Sequence, residues 1–255
     1  STKIAGLPLG QRMVLPDGRV FRHARVGGTA LVAGKLYQQE AYATGTGNVK
    51  SLAVIAGSAA AGAKAVSITM SGTGAITKNQ YTDGYLFSAS SIGTGIGYAY
   101  KIKEASSAAA GSTSVITLAD NETLQVALGG GTTTVGLRVN PFDNVLLTTA
   151  DTVGVGALAG VSCATAAASS YCWLQRKGTA PVFTDNSTVI VGTPVIASST
   201  VAGAIGTFPT AGADTTGVRY ARNMRLVGSV MSVAASAEFS LVDLKETSRT
   251  AARGN

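Results

Sequence analysis

The chemistry available to this chain starts from very few residues. His23 is the single histidine, so a Ser-His-Asp relay would need it as the base. It stands between Arg22 and Ala24 in the most cationic segment, where a base is hard to protonate. No Gly-x-Ser-x-Gly elbow surrounds any serine. His23 is therefore expected to be a surface or interface histidine. Asp120 and Glu122 are a close carboxylate pair, at i and i+2, as glycoside chemistry would want. Acids also cluster in turns, and a solvated turn before Leu124 is the expectation here.

Three glycine-rich stretches invite a phosphate-loop reading. Gly28–Lys35 and Gly57–Lys64 both miss the Walker spacing, and Leu36 stands where Ser or Thr would hold magnesium. Gly93-Thr-Gly-Ile-Gly97 lacks the dinucleotide spacing. Cys163 and Cys172 are nine positions apart and could face each other across a hairpin, but small apolar side chains in a reducing compartment are expected. One histidine and two cysteines do not build a metal site. Trp173 is expected in the core rather than on a ligand. No catalytic residue, cofactor or metal is expected.

Charge offers more. The net charge of +7 divides into +5 over residues 1–50, −1 over 51–218 and +3 over 219–255. Arg12, Arg19, Arg22 and Arg25 carry most of the first excess, with Asp17 the one nearby acid. Arginine pairs with carboxylates in a planar fork and is favoured over lysine at protein interfaces. These four are the candidate contacts with a protein partner. Phe21 is the one aromatic among them, which argues against nucleic acid, whose readers interleave aromatics with cations.

The elements that must position these residues are short strands. Ala, Gly, Ser and Thr supply nearly half of the 255 residues. Charged residues make up 13%, about half the usual ~25%. Heptads, a collagen period and an 18-residue apolar run are all missing. Pro16-Asp17-Gly18 between two apolar runs predicts a hairpin, since proline presets φ and glycine supplies a positive φ. Residues 51–63 read as either a short helix or a flexible link. Period-two alternation then recurs at Val66–Met70, Tyr98–Ile102, Leu124–Leu128, Val135–Val139 and Tyr171–Gln175. Further strands are expected at 84–87, 115–118, 181–183, 189–191, 194–196, 225–233 and 238–244, with Phe239 and Leu241 sharing one face.

The expected fold is all-β, with short-stranded sandwich or barrel domains and an extended N-terminal arm. The expected divisions are an arm and hairpin over 1–63, a first β domain over 64–150, a second, barrel-like domain over 151–244, and a polar tail over 245–255. Low charge with abundant Ala, Val and Thr leaves apolar surface that one protomer cannot bury alone, so a homo-oligomer is expected. No secretory signal pattern is visible at the start.

Several segments resemble a group of tailed-bacteriophage head proteins. They are Gln80–Leu86, Gly93–Ile102, Val139–Phe142, Tyr171–Gln175 with Gly178 and Pro181-Val182, and Gly192–Ser198 with Ala202–Ala204. Together they span residues 80–204 in a consistent order, and the last part also resembles small β-barrel decoration proteins. The resemblance implies a non-enzymatic virion protein, made in the host cytoplasm, that binds the outside of the capsid as a decoration or cement protein, often as a trimer. Its partners would be the major capsid protein and its own copies, with no membrane and no nucleic acid. A tail or fibre subunit with an adhesive role is the alternative, and a carbohydrate-binding β-sandwich a weaker one. Long fibre repeats are absent, and one Trp with sparse acids does not suit a sugar site.

Overall fold

The computed structural model describes residues 7–40, 49–70, 75–88, 95, 97–131, 133–150, 156–185, 188–208, 226–233 and 237–246. For residues 49–54 only the backbone is described. The described residues contain strands and turns and no helix, which makes the chain all-β. It forms two compact units, one from residues 1–41 with 141–255 and one from 42–140. The chain thus divides at 41/42 and 140/141, not at the expected 63/64 and 150/151. Loops and linkers share one composition here, so the small polar stretches that suggested boundaries also occur inside the units.

The discontinuous unit begins with the predicted hairpin. Strand β1 (Arg12–Val14) pairs with β2 (Val20–Arg25). Gly18, at φ +83°, closes the turn by donating its amide to Leu15 O at 2.9 Å. β3 (Leu36–Gln38) follows in the same unit. After the intervening unit come β10 (Leu146–Leu147), β11 (Leu158–Ser162), the long β12 (Tyr171–Phe183), β13 (Pro194–Ala197), β14 (Ile205–Thr207), β15 (Leu226–Ser232) and β16 (Phe239–Leu244). The sheet runs β10-β3-β11-β12-β16-β15-β13-β14, with β2 also on β12.

β12 joins two regions. Its first half, Tyr171 to Lys177, lies against Arg25 to Val20 of β2. Its second half, Gly178 to Phe183, lies against Leu244 to Phe239 of β16. Each region has its own core: Ala24, Leu31, Tyr37, Val145 and Leu174 in one, and Val182, Val195, Ile205, Val230 and Val242 in the other. Residues 7–40 are therefore built into the sheet rather than held as an arm, and residues 1–6 lie outside the described residues. Of the expected tail, Lys245 donates its amide to Val227 O at 3.0 Å, and 247–255 lie outside the described residues.

The continuous unit is a closed antiparallel barrel in the order β4-β5-β8-β7-β6-β9. Its strands are β4 (Val49–Ile55), β5 (Ala65–Thr69), β6 (Tyr85–Ser88), β7 (Ala99–Ala105), β8 (Thr113–Leu118) and β9 (Thr134–Arg138). The alternation read from the sequence supplies Val66, Ile68, Tyr100, Ile102, Val135 and Leu137 to the core, where Leu86, Ile116 and Leu118 join them, while Tyr98 and Val115 are exposed. Closure removes the free edges that an open sheet exposes. The 51–63 stretch, expected as helix or link, holds most of β4 and a turn leading to the Ala59–Leu128 bridge. Residues 124–128, expected as a strand, form an irregular segment that tucks Leu124 and Leu128 into the barrel. Asp120 and Glu122 sit in the expected turn, with Asp120 paired to Lys103 at 2.6 Å. Gly95 and Gly97 both have positive φ, while positions 93, 94 and 96 of that glycine run lie outside the described residues.

The two cysteines do lie on a hairpin, β11–β12, but out of register. Ser162 faces Leu174, which places Cys163 and Cys172 on opposite faces. Cys163 is exposed and its thiol contacts Gln175 Oε1 at 3.2 Å. Cys172 is half-buried against the Leu174 core, and burial pushes its thiol up to about 11. The thiolate is the reactive form. Desolvation raises the Cys163 thiol too, but Cys163 is the exposed one, so a disulfide-exchange reagent at pH 8 is expected to label it before Cys172 in the native protein, and both in denaturant. Two equally fast thiols would contradict this placement.

Candidate partner-contact surface

The four candidate arginines lie on the β1–β2 hairpin, and the fold employs three of them internally. Arg19 pairs with Asp17 across the turn at 2.6 Å and spreads over the Phe21 ring. The Arg19 amide and guanidinium hold the exposed Asp17 carboxyl below its usual range. Arg22 pairs with Glu246 at 3.1 Å and also donates to Gly10 O. Arg25 pairs with Asp143, whose carboxyl is raised because burial outweighs the favourable arginine.

Arg12 faces Arg22 in the hairpin register, so these two share one face. Arg12 is exposed and makes no ion pair among the described residues. A fifth arginine joins them. Arg176 of β12 donates to Leu158 O, with Glu246 and Arg22 within electrostatic reach. Burial lowers its pKa. One carboxylate thus serves two guanidiniums, and Arg12 stands beside them. The hairpin face is cationic, and Arg12 is its freely offered group.

His23 is the clearest departure from expectation. It is buried, at 2% exposure, not on the surface. β2 pairs it with Trp173, and its ring is stacked on Tyr171 at 5.5 Å and tilted against Trp173 at 5.3 Å. Nδ1 lies 3.3 Å from Pro8 O. Residues 8–10 fold back over this side of β2, where Gly10 donates its amide to His23 O. The cationic run around His23 suggested exposure, but alternation puts Arg22 on one face and His23 beneath the returning chain. Trp173 is half-buried as the lid of this aromatic group rather than in the apolar core.

A second surface lies in the same unit, where β12, β16 and β15 run side by side. Ala180, Val182, Val242 and Leu244 point into the core. Alternation then sends Pro181, Phe183, Phe239 and Leu241 outward, with Pro181 opposite Leu241 and Phe183 opposite Phe239. Phe239 is 51% exposed, Leu241 37% and Met231 49%. Phe183 and Phe239 meet edge to face at 5.5 Å. Thr179 Oγ1 reaches Met231 Sδ at 3.5 Å across β16. Ile190 and Val191, expected in a strand, instead form an exposed turn whose Gly192 donates to Val230 O of β15. The shared face of Phe239 and Leu241 was readable from alternation. That it faces outward depends on Val242 being buried, which the sequence of β16 alone does not reveal.

Gly34 fits this surface closely. Its φ is +75°, and an added Cβ would lie 2.3 Å from Phe239 Cε1. The phenylalanine ring rests on bare backbone there.

No protein-family model matches the chain, no curated protein matches it, and no solved structure matches it.

Proposed function

We propose that this chain is a non-enzymatic virion structural protein that binds the outer surface of a phage capsid and stabilises the shell. The observation that carries the reading is the outward apolar face of β12, β16 and β15. Such a face suits docking against other protein surfaces. The resemblance of residues 80–204 to phage head proteins supplies the class of partner, the major capsid protein. A homo-oligomeric state, a trimer by that resemblance, completes the reading. Synthesis in the host cytoplasm and residence on the virion go with it.

The cationic hairpin contributes through Arg12. Rim charges of this kind mainly raise association rate and make it salt-sensitive. Arg22 is a poorer probe, because reversing it would set an acid beside Glu246.

A protein that binds the assembled shell and not its dispersed subunits shifts the equilibrium toward the intact particle. At a hundredfold excess over the dissociation constant the shift is about 2.7 kcal/mol per site. Shells of the cognate phage stripped of this protein are expected to rupture at a lower temperature than shells to which it is restored, as followed by release of packaged DNA. Arg12→Glu is expected to slow attachment at low salt with the fold intact by circular dichroism. Identical rupture temperatures for stripped and restored shells would overturn the proposal.

A further inference from the structure

We infer that Glu246 occupies, in the isolated chain, an arginine site that an acidic segment of the partner protein takes over on binding. The inference rests on the partner proposed above and names the chemistry that recognises it.

The site lies where β12 passes from β2 to β16. Arg12 and Arg22 stand directly opposite each other on β1 and β2, with Cβ atoms about 5 Å apart. Arg176 of β12 is within electrostatic reach of both Arg22 and Glu246. Three guanidiniums thus share one carboxylate. Arg22 donates from Nη2 to Glu246 at 3.1 Å and from Nη1 to Gly10 O at 3.1 Å. Arg176 donates to Leu158 O. Neither Arg12 nor Arg176 has an ion pair among the described residues.

The surroundings add to the positive excess. Lys177 is exposed next to Arg176, and Lys245 next to Glu246. The acids of neighbouring segments are already engaged or turned away. Asp17 is held by Arg19, Asp143 by Arg25, and Glu40 accepts from Asn144. Asp243 stands outward between buried Val242 and Leu244, with Lys245 two positions on.

Glu246 is the most replaceable of these acids. It lies two positions beyond Leu244, where β16 ends, and its side chain is 28% exposed. Among the described residues it accepts a single hydrogen bond, from Arg22. Asp17, by contrast, is clasped by both the amide and the guanidinium of Arg19, and Asp143 is far less exposed. A guanidinium holds a carboxylate best as a fork of two parallel bonds, which Glu246 does not make. A part-exposed single pair of this kind contributes little and is readily exchanged.

An extended protein segment with acids at alternate positions carries its carboxylates about 7 Å apart. The long side chains of Arg12 and Arg22 can span that distance, and such a segment supplies the negative charge that Arg12 and Arg176 lack. Nucleic acid would also want exposed rings for stacking. Phe21 is on the other face of β2 from Arg22 and lies under Arg19.

Fluorescence anisotropy of the full chain with a labelled octaglutamate peptide, at low salt, tests this. The wild type is expected to bind, and Glu246→Gln to bind about fivefold more tightly, because the internal competitor is gone. Arg12→Glu is expected to bind about tenfold more weakly. A Glu246 that only propped the sheet would give no gain on replacement. Arg12 is exposed, so R12E keeps the test decisive if E246Q fails to fold. No binding of the peptide, E246Q no tighter than wild type, or R12E as tight as wild type would overturn the inference. So would an oligothymidylate that binds as tightly as the peptide, since the site would then accept any polyanion. Stripped shells separate the inference from the capsid role. Shells that take up wild type, E246Q and R12E alike would keep that role and overturn the inference. Peptide binding that follows both substitutions while shells ignore the protein would uphold the site and remove the capsid role.

Discussion

Replacing Leu137 with alanine is expected to lower the stability of the barrel by about 2–5 kcal/mol, the range for large-to-small changes that leave a cavity. Leu137 is fully buried on β9 and lies opposite Leu86 of β6 in the closed ladder. A closed barrel has little freedom to collapse onto the lost volume, because each strand is held on both sides. Domains of this size are stable by only about 5–15 kcal/mol in total. The loss is thus a large fraction of the whole, equivalent to a fall in melting temperature of roughly ten degrees or more. The probes separate the two units. The single Trp lies in the sheet unit, at Trp173, and the barrel carries tyrosines such as Tyr81 and Tyr100. The part of the near-ultraviolet tyrosine signal from the barrel should move to lower urea, while the Tyr37, Tyr171 and Trp173 fluorescence of the sheet unit keeps its midpoint. A loss below about 1 kcal/mol would mean that the site relaxes freely and the barrel core is misassigned.

Gly228→Ala is expected to be nearly as damaging, about 3 kcal/mol, although it adds only a methyl group. Gly228 sits in β15 opposite Leu244 of β16, and a Cβ there would fall 2.1 Å from Asp243 O. The obstacle is backbone, so it cannot swing aside as a side-chain tip would. The two strands must separate or shift register, and both Val230 and Val242 lose their packing. Gly18→Ala is the control. That position has φ +83° but nothing within 4 Å of the added atom. Its cost is the conformational one alone, about 1 kcal/mol. Urea midpoints for the two variants should differ clearly, with G228A the lower. Equal midpoints would show that conformation and not crowding governs these glycines.

Local features of this fold were legible in the sequence, and partnerships were not. Pro16-Asp17-Gly18 announces its hairpin because turn chemistry is carried by adjacent residues. Alternation correctly placed Ile68, Ile102 and Leu137 on inward faces. The same alternation misled at 124–128, which is irregular, and the apolar run 189–191 is met by a turn. The arginines illustrate the limit best. Their charge and shared hairpin were readable, but Arg25 finds its acid 118 positions away and Arg22 finds Glu246 224 positions away. Such separations arise from strand order. The inward position of His23 likewise depends on residues 8–10 returning over β2.

Synthesis from the N-terminus gives the placement of the barrel a consequence in time. β1 and β2 leave the ribosome first, but β2 finds its sheet partner, β12, only about 150 residues downstream, which at 5–20 residues per second is a delay of many seconds. The barrel strands are contiguous between β3 and β10 and can close during that interval, since strand pairing is far faster than elongation. The first forty residues therefore spend the interval as a nascent segment with unmet backbone groups. The charge of their cationic hairpin keeps that segment in solution until the second half of the sheet arrives. β16, the last of the described strands in chain order, completes the sheet by adding to the far half of β12, and only then does the face bearing Phe239 and Leu241 exist. The apolar surface proposed to recruit other subunits thus forms only after every described strand of its sheet has been made.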